Sequence, residues 1–284
     1  MSDEVLPVEA PKFLLLPTGK PHCSWSEVRT WAECSFRHKL RHVDGIDLGK
    51  PSSILYFGTA VHASCEDYAK TMVMKSEIAH ALLYEAFEKH KGEKSFDNEE
   101  LTKMLQQATD ILAEVPAFLD ATFPGWKTVA AEHYLYEQLN DAKPHHAFKG
   151  YIDLILTCPN PKQHHNITPL IWIIDWKTTN SYWSADKKSD PLVTGQLAGY
   201  KHYYMQETKT AHLMKQIRTG FVLLKRNAKP GQHCELVTVS VGDVTATRTL
   251  KVINNCVSSI QRGIAIKNRD SCKYCDYYKT EHCK

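Results

Sequence analysis

The sequence lacks the features that mark a membrane-spanning or secreted protein. Its 284 residues contain no apolar run that approaches the roughly 18 residues a membrane span needs. The first 20 residues carry early acids and scattered prolines, where a signal peptide has a basic start followed by an apolar stretch. We therefore expect a cytoplasmic protein, or one of a host cell's cytoplasm if a phage encodes the chain.

The chain also has little excess charge of either sign. Lys and Arg number 35 and Asp and Glu 32, a formal charge of +3, so any basic surface for a polyanionic partner must be local. It contains no Gly-x-x-x-x-Gly-Lys-Ser/Thr loop of the kind that nucleotide-driven motors use. A motor, if one acts with this protein, must be a separate partner.

Disulfides are not expected, although the chain has nine cysteines. The number is odd, and a chain with 43% hydrophobic residues does not need cross-links to supply a missing core. Reduced thiols or metal ligation are the better interpretations. Three cysteines stand close together in a short polar segment at the end of the chain, and three metal ligands need a fourth. These three are Cys272, Cys275 and Cys283.

The hydrophobic pattern divides the chain into stretches of different character. Residues 1–22 hold four prolines and predict an irregular lead-in. Residues 23–124 show helical spacing, with Ser26 as the expected cap of the first helix. Residues 125–262 predict a sheet with two helices, and residues 263–284 form a cysteine-bearing tail. The fold class is therefore α/β, with helices packed on a mixed central sheet and an N-terminal helical layer.

Two predicted strands carry acids among apolar residues. Asp153 lies in the middle of one, and Asp175 and Lys177 lie at the end of the next. Side chains alternate along a strand, so Asp175 and Lys177 share a face. A buried carboxylate is destabilising unless it is paired or ligates a cation. The two acids therefore predict an oxygen site for Mg²⁺ or Mn²⁺, with the lysine beside a water or a phosphate. A solvated strand end is the plainer alternative.

This arrangement resembles the PD-(D/E)XK nuclease superfamily, whose motif is an acid followed at a distance by Asp or Glu, any residue, and Lys. Asp153, Asp175 and Lys177 match it, with Ile152 at the variable proline position. The resemblance implies a restriction-endonuclease-like core and hydrolysis of phosphodiester bonds. It also places Trp176, between the second acid and the lysine, among the metal ligands.

Two further segments are similar to the RecB-like branch of that superfamily, which includes AddB-type nucleases and CRISPR-associated iron–sulfur exonucleases. The Gly-Thr-Ala-Val-His run at 58–62 resembles a glycine-led helix with a metal-binding histidine, here His62. The Gln-x-x-x-Tyr element corresponds to Gln196 and Tyr200, which its spacing puts on one helix face. In the branch such residues support the catalytic lysine and contact the DNA backbone. Each segment alone also fits an ordinary helix.

One more acid resembles a residue of the family. Glu132 lies on the predicted strand before Asp153 and is similar to the acid that often precedes the catalytic hairpin. It is a secondary candidate for the catalytic set. An ion pair with a neighbouring strand explains it equally well.

The same branch offers an interpretation of the terminal cysteines. Many members hold an iron–sulfur cluster on one upstream cysteine and three near the C-terminus, and the surroundings of Cys34 are similar to that upstream position. The resemblance implies a [4Fe–4S] cluster on Cys34 and the three terminal cysteines. The residues alone leave Zn²⁺ open, because His282 adjoins Cys283. The gap before Cys283 is longer than is common in the branch.

Two basic runs are candidates for binding nucleic acid. Residues 201–229 hold seven Lys and Arg against one acid, and a second run surrounds Cys34. Such runs neutralise phosphates without reading base sequence. The proposed DNA contacts are Arg37, Arg41, Lys201, Lys225 and Arg226.

The leading hypothesis is a Mg²⁺- or Mn²⁺-dependent DNA exonuclease that acts in recombination, repair or replication, beside a helicase or recombination protein. A structure-specific endonuclease on the same fold is the alternative within enzymes. A catalytically inactive DNA-binding or assembly subunit is the alternative from a different class. The joint presence of Asp153, Asp175 and Lys177 argues against the inactive subunit.

Overall fold

A computed structural model describes residues 21–139, 146–161 and 169–284. The helices and strands follow in chain order. They are β1 (His22–Ser24), α1 (Trp25–Glu33), α2 (Ser35–His38), a π-helical turn (Lys39–Val43), α3 (Ser53–Thr71), α4 (Ser76–Lys89), α5 (Asn98–Thr122), β2 (Lys127–Gln138), β3 (Ala147–Cys158), β4 (Leu170–Thr179), α6 (Ala185–Ser189), α7 (Pro191–Thr208), β5 (Ile217–Lys225), β6 (Cys234–Val239) and α8 (Asp243–Gln261).

The strands form a mixed sheet in the order β1–β3–β4–β5–β6, and β2 pairs with β3. β4 and β5 are parallel, whereas β3–β4 and β5–β6 are antiparallel. The predicted α/β class, with helices around a mixed restriction-endonuclease-like sheet, is confirmed. The short strand β1 was not predicted, because three residues are too few for an alternating pattern to be visible. Among the described residues no helix is long and apolar enough to cross a membrane.

The described residues group into two compact units. One comprises those of 1–49, 136–149 and 248–284, and the larger one comprises those of 50–135 and 150–247. These bounds differ from the sequence-based division at residues 22, 124 and 262, which stays a prediction. Most of the lead-in, residues 1–20, lies outside the described residues.

The core of the larger unit lies between one face of the sheet and helices α3, α4 and α5. Leu154, Ile174 and Val222, from three adjacent strands, pack there with Phe57 of α3. Trp176 belongs to this core and is 1% exposed. Because side chains alternate along β4, the residues on either side of Trp176 face the opposite side of the sheet. Packing of the indole therefore fixes the strand that carries the acid and the lysine.

The first helix of the smaller unit begins two residues earlier than expected. Ser24, not Ser26, is the N-cap of α1, and it forms a capping box with Glu27. The Glu27 amide donates to Ser24 Oγ at 3.3 Å, and the Ser24 amide donates to Glu27 Oε2 at 2.7 Å. The prediction of Ser26 was wrong because only Ser24 has a glutamate three residues later, which this motif needs.

We predict that Ser24→Ala lowers the free energy of unfolding by about 0.5–2 kcal/mol, because it leaves a helix N–H group without its acceptor. Ser26→Ala is the matched control and should change stability much less. Chemical denaturation of both variants measures the difference. An equal loss in the two would show that the capping box does not set the start of α1.

Candidate active site

The two motif acids stand on neighbouring antiparallel strands. Leu154 of β3 is opposite Ile174 of β4, and the acids occupy the next positions along the two strands, Asp153 and Asp175. Asp153 Oδ2 accepts a hydrogen bond from the backbone N–H of Trp176 at 2.7 Å. The hairpin therefore brings the acids together through its own register, as the strand pattern predicted.

Lys177 completes this group. Its Nζ lies 2.6 Å from Asp175 Oδ2, and its side chain is 32% exposed while that of Asp175 is 2% exposed. Lys177 is thus paired with a buried carboxylate, and its side chain is still partly exposed to solvent. This places a cation where a substrate phosphate could approach.

The electrostatics of the pair fit a cation ligand set. Burial raises the pKa of Asp175, and the Lys177 ammonium opposes this effect. Burial raises the pKa of Asp153 well above its usual range, and the charge of Asp175 adds to that rise. One ammonium does not balance two buried carboxylates, so a divalent cation would stabilise their ionised forms. The donor set therefore fits the metal that the resemblance implies.

Helix α7 holds Asp175 from the side. The helix starts with Asp190 as its N-cap and Pro191 in its first turn. Gln196 and Tyr200 are four residues apart and therefore lie one turn apart on the same helix face. Gln196 Nε2 donates to Asp175 Oδ1 at 2.9 Å and to the Tyr200 hydroxyl at 3.0 Å. The resemblance implied support of the lysine, whereas the hydrogen bond observed goes to the carboxylate. Gln196 is therefore placed to orient Asp175.

Tyr200 is a neutral member of this network. Burial and the charge of Asp175 raise its pKa, and the backbone N–H of Tyr151 donates to its hydroxyl. The phenol therefore keeps its proton at neutral pH. It links strand β3 to Gln196 and so to the acid on β4.

His62 on α3 faces the same acids. Its Nδ1 lies 3.7 Å from Asp153 Oδ2, and its side chain is 27% exposed. Burial and the nearby Lys177 charge lower the pKa of His62 to about 4, so the ring is neutral at pH 7 and can ligate a metal. One turn earlier, a Cβ on Gly58 would lie 3.2 Å from Thr178 Oγ1. The glycine allows α3 to approach β4 closely enough to place the histidine.

Glu132 lies within electrostatic reach of the site. Its pKa is raised by burial, by Glu66 and by Asp175, while Lys70 opposes the rise. Its φ of 51° is left-handed, which a non-glycine residue rarely adopts and which marks local strain in β2. In the described part of the chain Glu132 makes no ion pair within 4.0 Å, so the geometry favours the site over the alternative of a cross-strand pair.

Two neighbours of Glu132 were missed from the sequence. Glu66 and Lys70 form an ion pair on α3, at spacings of four and eight residues from His62. Residues four apart share a helix face. The spacing was therefore the signal that could have added both residues to the surroundings of the site.

Trp176 differs from its place in the predicted metal set. Its indole is in the hydrophobic core on the other face of the sheet. An indole carries a donor N–H and no metal-binding lone pair. Any contribution of Trp176 to the site therefore comes from its backbone, whose N–H already holds Asp153.

The four cysteines proposed for a cluster line one small cavity of about 10 Å³ in the smaller unit. Cys34 interrupts the first helical segment with an extended backbone, and its Sγ accepts from the backbone N–H groups of Arg37 at 3.5 Å and Asn268 at 3.4 Å. The structure thus brings together the cysteines Cys34, Cys272, Cys275 and Cys283.

Neither ligand set is a preformed coordination sphere. Across residues 21–139, 146–161 and 169–284, no three His, Cys, Asp or Glu side chains are arranged as a group that could hold a metal ion as they stand. The case for both sites therefore rests on the chemistry and the shared location of the donors.

Two of the residues proposed to contact DNA are buried in the structure. Lys201 is 4% exposed and its Nζ donates to the Val241 carbonyl at 3.0 Å. Lys225 is also buried, with its Nζ 3.3 Å from Glu235 Oε2 and 4.0 Å from the centre of the Tyr182 ring. A count of charges along the chain does not distinguish a solvated ammonium from one that protein groups cover. These two lysines do not form an exposed strip.

The three arginines are placed differently. Arg226 donates from Nε to Asn180 Oδ1 at 3.1 Å and lies 5.4 Å from the Phe57 ring centre, so protein groups hold it. Arg37 is partly buried and 3.4 Å from Glu33. Arg41 is exposed. Of the five candidates, Arg41 is thus the one whose residue is exposed.

The fold and the two-strand acid and lysine arrangement define the class of protein. A model of the PD-(D/E)XK nuclease superfamily matches residues 22–280, and the chain belongs to that superfamily. The resemblance drawn from the motif is confirmed, and the protein is a nuclease by family.

A solved structure has a similar fold. It is the crystal structure of an exonuclease candidate from Eubacterium rectale, with a TM-score of 0.56 and 14% sequence identity, covering 91% of this chain and 88% of that chain. At this identity the likeness concerns the fold. No curated protein sequence matches the chain.

The raised pKa of Asp153 gives a prediction for the metal-free protein. The folded state binds the Asp153 proton more tightly than the unfolded state, so stability falls as pH rises above the unfolded pKa. Asp153→Asn should therefore raise the melting temperature in EDTA at pH 7, with a gain that shrinks towards pH 4.

Divalent metal should stabilise the wild type more than Asp153→Asn. At a hundredfold excess over its Kd, Mn²⁺ should stabilise the wild type by about 2.7 kcal/mol and Asp153→Asn far less. Asp186→Asn, an exposed acid on α6, is the control and should behave as wild type. Equal metal stabilisation of all three proteins would remove Asp153 from the site.

Proposed function

We propose that the protein is a Mg²⁺- or Mn²⁺-dependent deoxyribonuclease that removes nucleotides from DNA ends. The observation that carries this proposal is the adjacent pair of the partly buried Asp153 and the buried Asp175, with Lys177 at 2.6 Å from Asp175. Membership of the nuclease superfamily supports phosphodiester hydrolysis. DNA as substrate, the metal and the exonuclease mode are the parts proposed here.

The metal ligands in this proposal are Asp153, Asp175 and His62. When bound, a divalent ion supplies Lewis-acid stabilisation of the scissile phosphate and lowers the pKa of a bound water. The acids need such a partner because their shared burial raises both pKa values. The neutral ring of His62 adds a nitrogen donor beside Asp153.

Lys177 acts at the substrate side. Its ammonium is held by Asp175 and is still partly exposed, so it can donate to a water or to a phosphate oxygen without leaving its ion pair. A preformed cation near developing negative charge stabilises the transition state more than the ground state. Lys177 is the catalytic residue proposed here that is not a metal ligand.

Gln196 and Tyr200 are positioning residues in this scheme. Gln196 fixes the orientation of the Asp175 carboxylate, and Tyr200 fixes Gln196. Holding a ligand by a hydrogen bond from outside the coordination sphere tunes metal affinity and activity. Glu132 is a third acid that we assign to the same region, and its charge, which raises the pKa of Asp153, supports this assignment.

Cleavage of ends distinguishes an exonuclease from the alternative of a structure-specific endonuclease. The description of the Eubacterium rectale protein as an exonuclease candidate favours the first. End-labelled linear DNA and closed circular DNA, each incubated with Mg²⁺ or Mn²⁺, test the choice. Cutting of the circle supports the endonuclease, and cutting of neither supports the inactive DNA-binding subunit.

We predict that Asp175→Asn and Lys177→Ala each lower the cleavage rate by about 100-fold or more, because each removes charge that acts on the transition state. The fold and most of the DNA affinity should remain. Asp186→Asn is the control and should cleave as wild type. Wild-type rates from either active-site variant would overturn the assignment.

We further propose that Cys34, Cys272, Cys275 and Cys283 hold a [4Fe–4S] cluster, with Zn²⁺ as the alternative. Support comes from the one cavity that all four line and from the two N–H donors on Cys34 Sγ. Thiolates in a set of four are the usual ligands of both. A metal site on these four cysteines would close a long loop of the chain, so its main effect would be on folding.

We predict that anaerobically purified protein is brown and that Cys275→Ser loses colour, metal and thermal stability together. Cys234 lies in the larger unit, and the control Cys234→Ser should change none of these properties. Colourless protein with stoichiometric zinc would support a metal site on these cysteines and reject the iron–sulfur cluster. Metal-free protein of full stability would reject both.

The biological setting is also a proposal. The similarity of residues 58–62 and of Gln196 and Tyr200 to the RecB-like branch supports action on DNA in recombination, repair or replication. In this setting the protein works in the cytoplasm, or in a host's cytoplasm if phage-encoded. A helicase or recombination protein would act as its partner.

A further inference from the structure

The larger unit contains a second feature that the catalytic site does not use. A cavity of about 470 Å³ lies beside the start of β5 and the end of β6. On β5 its wall is formed by residues 217–219, whereas Asp175 and Lys177 are opposite Phe221 and Leu223 of that strand. The position on β5 opposite Asp175 is two residues beyond Thr219, about 7 Å at 3.3 Å per residue, and neither catalytic acid lines the cavity.

Lys201 of α7 forms part of the inner wall of this cavity. It is buried, and an ammonium has three N–H donors. One of them binds the Val241 carbonyl at 3.0 Å. Burial and the charge of Arg218 lower the pKa of Lys201, and Asp243 opposes the change. A buried ammonium with spare donors and a cationic neighbour is destabilised, and an anion in the cavity would relieve it.

The rim of the cavity is also cationic. Lys215 and Arg218 line it and are exposed, and Asp243 is the acid among the described lining residues. Three cations against one acid leave a charge of +2 for an occupant. Helix α8, of 19 residues, begins at Asp243, so its N-terminal N–H groups and dipole add to the positive potential.

We propose that this cavity is a binding site for a phosphate group, separate from the catalytic acids. Lys201 binds the phosphate at the base and Arg218 binds it at the rim, where the guanidinium can donate two parallel hydrogen bonds. The charge of a phosphate monoester, near −2, complements the cavity. The volume is in the range of small-molecule sites, so it also has room for an attached nucleoside.

The phosphate has two chemical sources, a free phosphate or mononucleotide and the backbone of a nucleic acid strand. The site does not depend on the proposed nuclease activity, because none of its residues is a catalytic ligand. Binding measured in EDTA therefore keeps the two proposals apart. It also prevents a metal at Asp153 and Asp175 from recruiting the phosphate.

The test is titration calorimetry in EDTA with three probes, namely inorganic phosphate, a deoxynucleoside monophosphate and a single-stranded oligonucleotide. Arg218→Gln changes an exposed residue and should not disturb folding. Lys201→Met keeps the length and apolar stem of the buried side chain, and a melting curve checks its fold. The controls are Lys229→Gln, an exposed lysine outside the cavity, and Asp175→Asn in the catalytic site.

We expect Arg218→Gln and Lys201→Met each to weaken phosphate binding at least tenfold, while both controls stay within twofold of wild type. Loss seen with phosphate and the mononucleotide identifies a free ligand, and loss confined to the oligonucleotide identifies a strand. The proposal is overturned if Arg218→Gln binds all three probes as wild type does. It is equally overturned if Asp175→Asn, and not Arg218→Gln, loses binding.

Discussion

The burial of two like charges beside each other is the constraint on which the rest of the larger unit depends. Asp153 and Asp175 occupy adjacent positions on paired strands, and each is taken largely out of water. Alone they would repel and protonate. The surrounding groups stabilise both carboxylates. Lys177 and Gln196 bind Asp175, and the Trp176 backbone N–H donates to Asp153. A divalent ion would complete the balance.

The core and the site are two faces of the same strands. Trp176 is buried against α3, α4 and α5, while its sequence neighbours carry the chemistry on the other face. Alternation along β4 therefore ties packing to function, because any shift of register would exchange the two faces. Gly58 also links packing to function. Because it has no side chain, α3 packs closely on β4, and this brings His62 next to Asp153.

A local break between two helices positions the cysteine site of the smaller unit. Cys34 takes an extended conformation between α1 and α2, which turns its sulfur towards the N–H groups of Arg37 and Asn268. Leu40, Tyr277 and Cys283 form a small buried cluster next to this sulfur's cavity. Residues from both ends of the chain meet here, a feature that suits a site whose ligands are far apart in sequence.

The sequence by itself determined the fold class, the strands that carry Asp153, Asp175 and Lys177, and the helical spacing of Gln196 and Tyr200. These features have a period of two or of about 3.6 residues, and such periods are local properties that a pattern can show. The capping box of Ser24 and Glu27 is also a local pattern that the sequence shows.

Only the tertiary structure decided which partner each polar group has. It showed that Gln196 binds the Asp175 carboxylate, and that Lys201 and Lys225 are buried. It also showed that Glu132, itself a left-handed residue of β2, lies within electrostatic reach of Asp175. Hydrogen bonds, burial and electrostatic potential depend on groups that are distant in the chain and close in space. No local period encodes those distances.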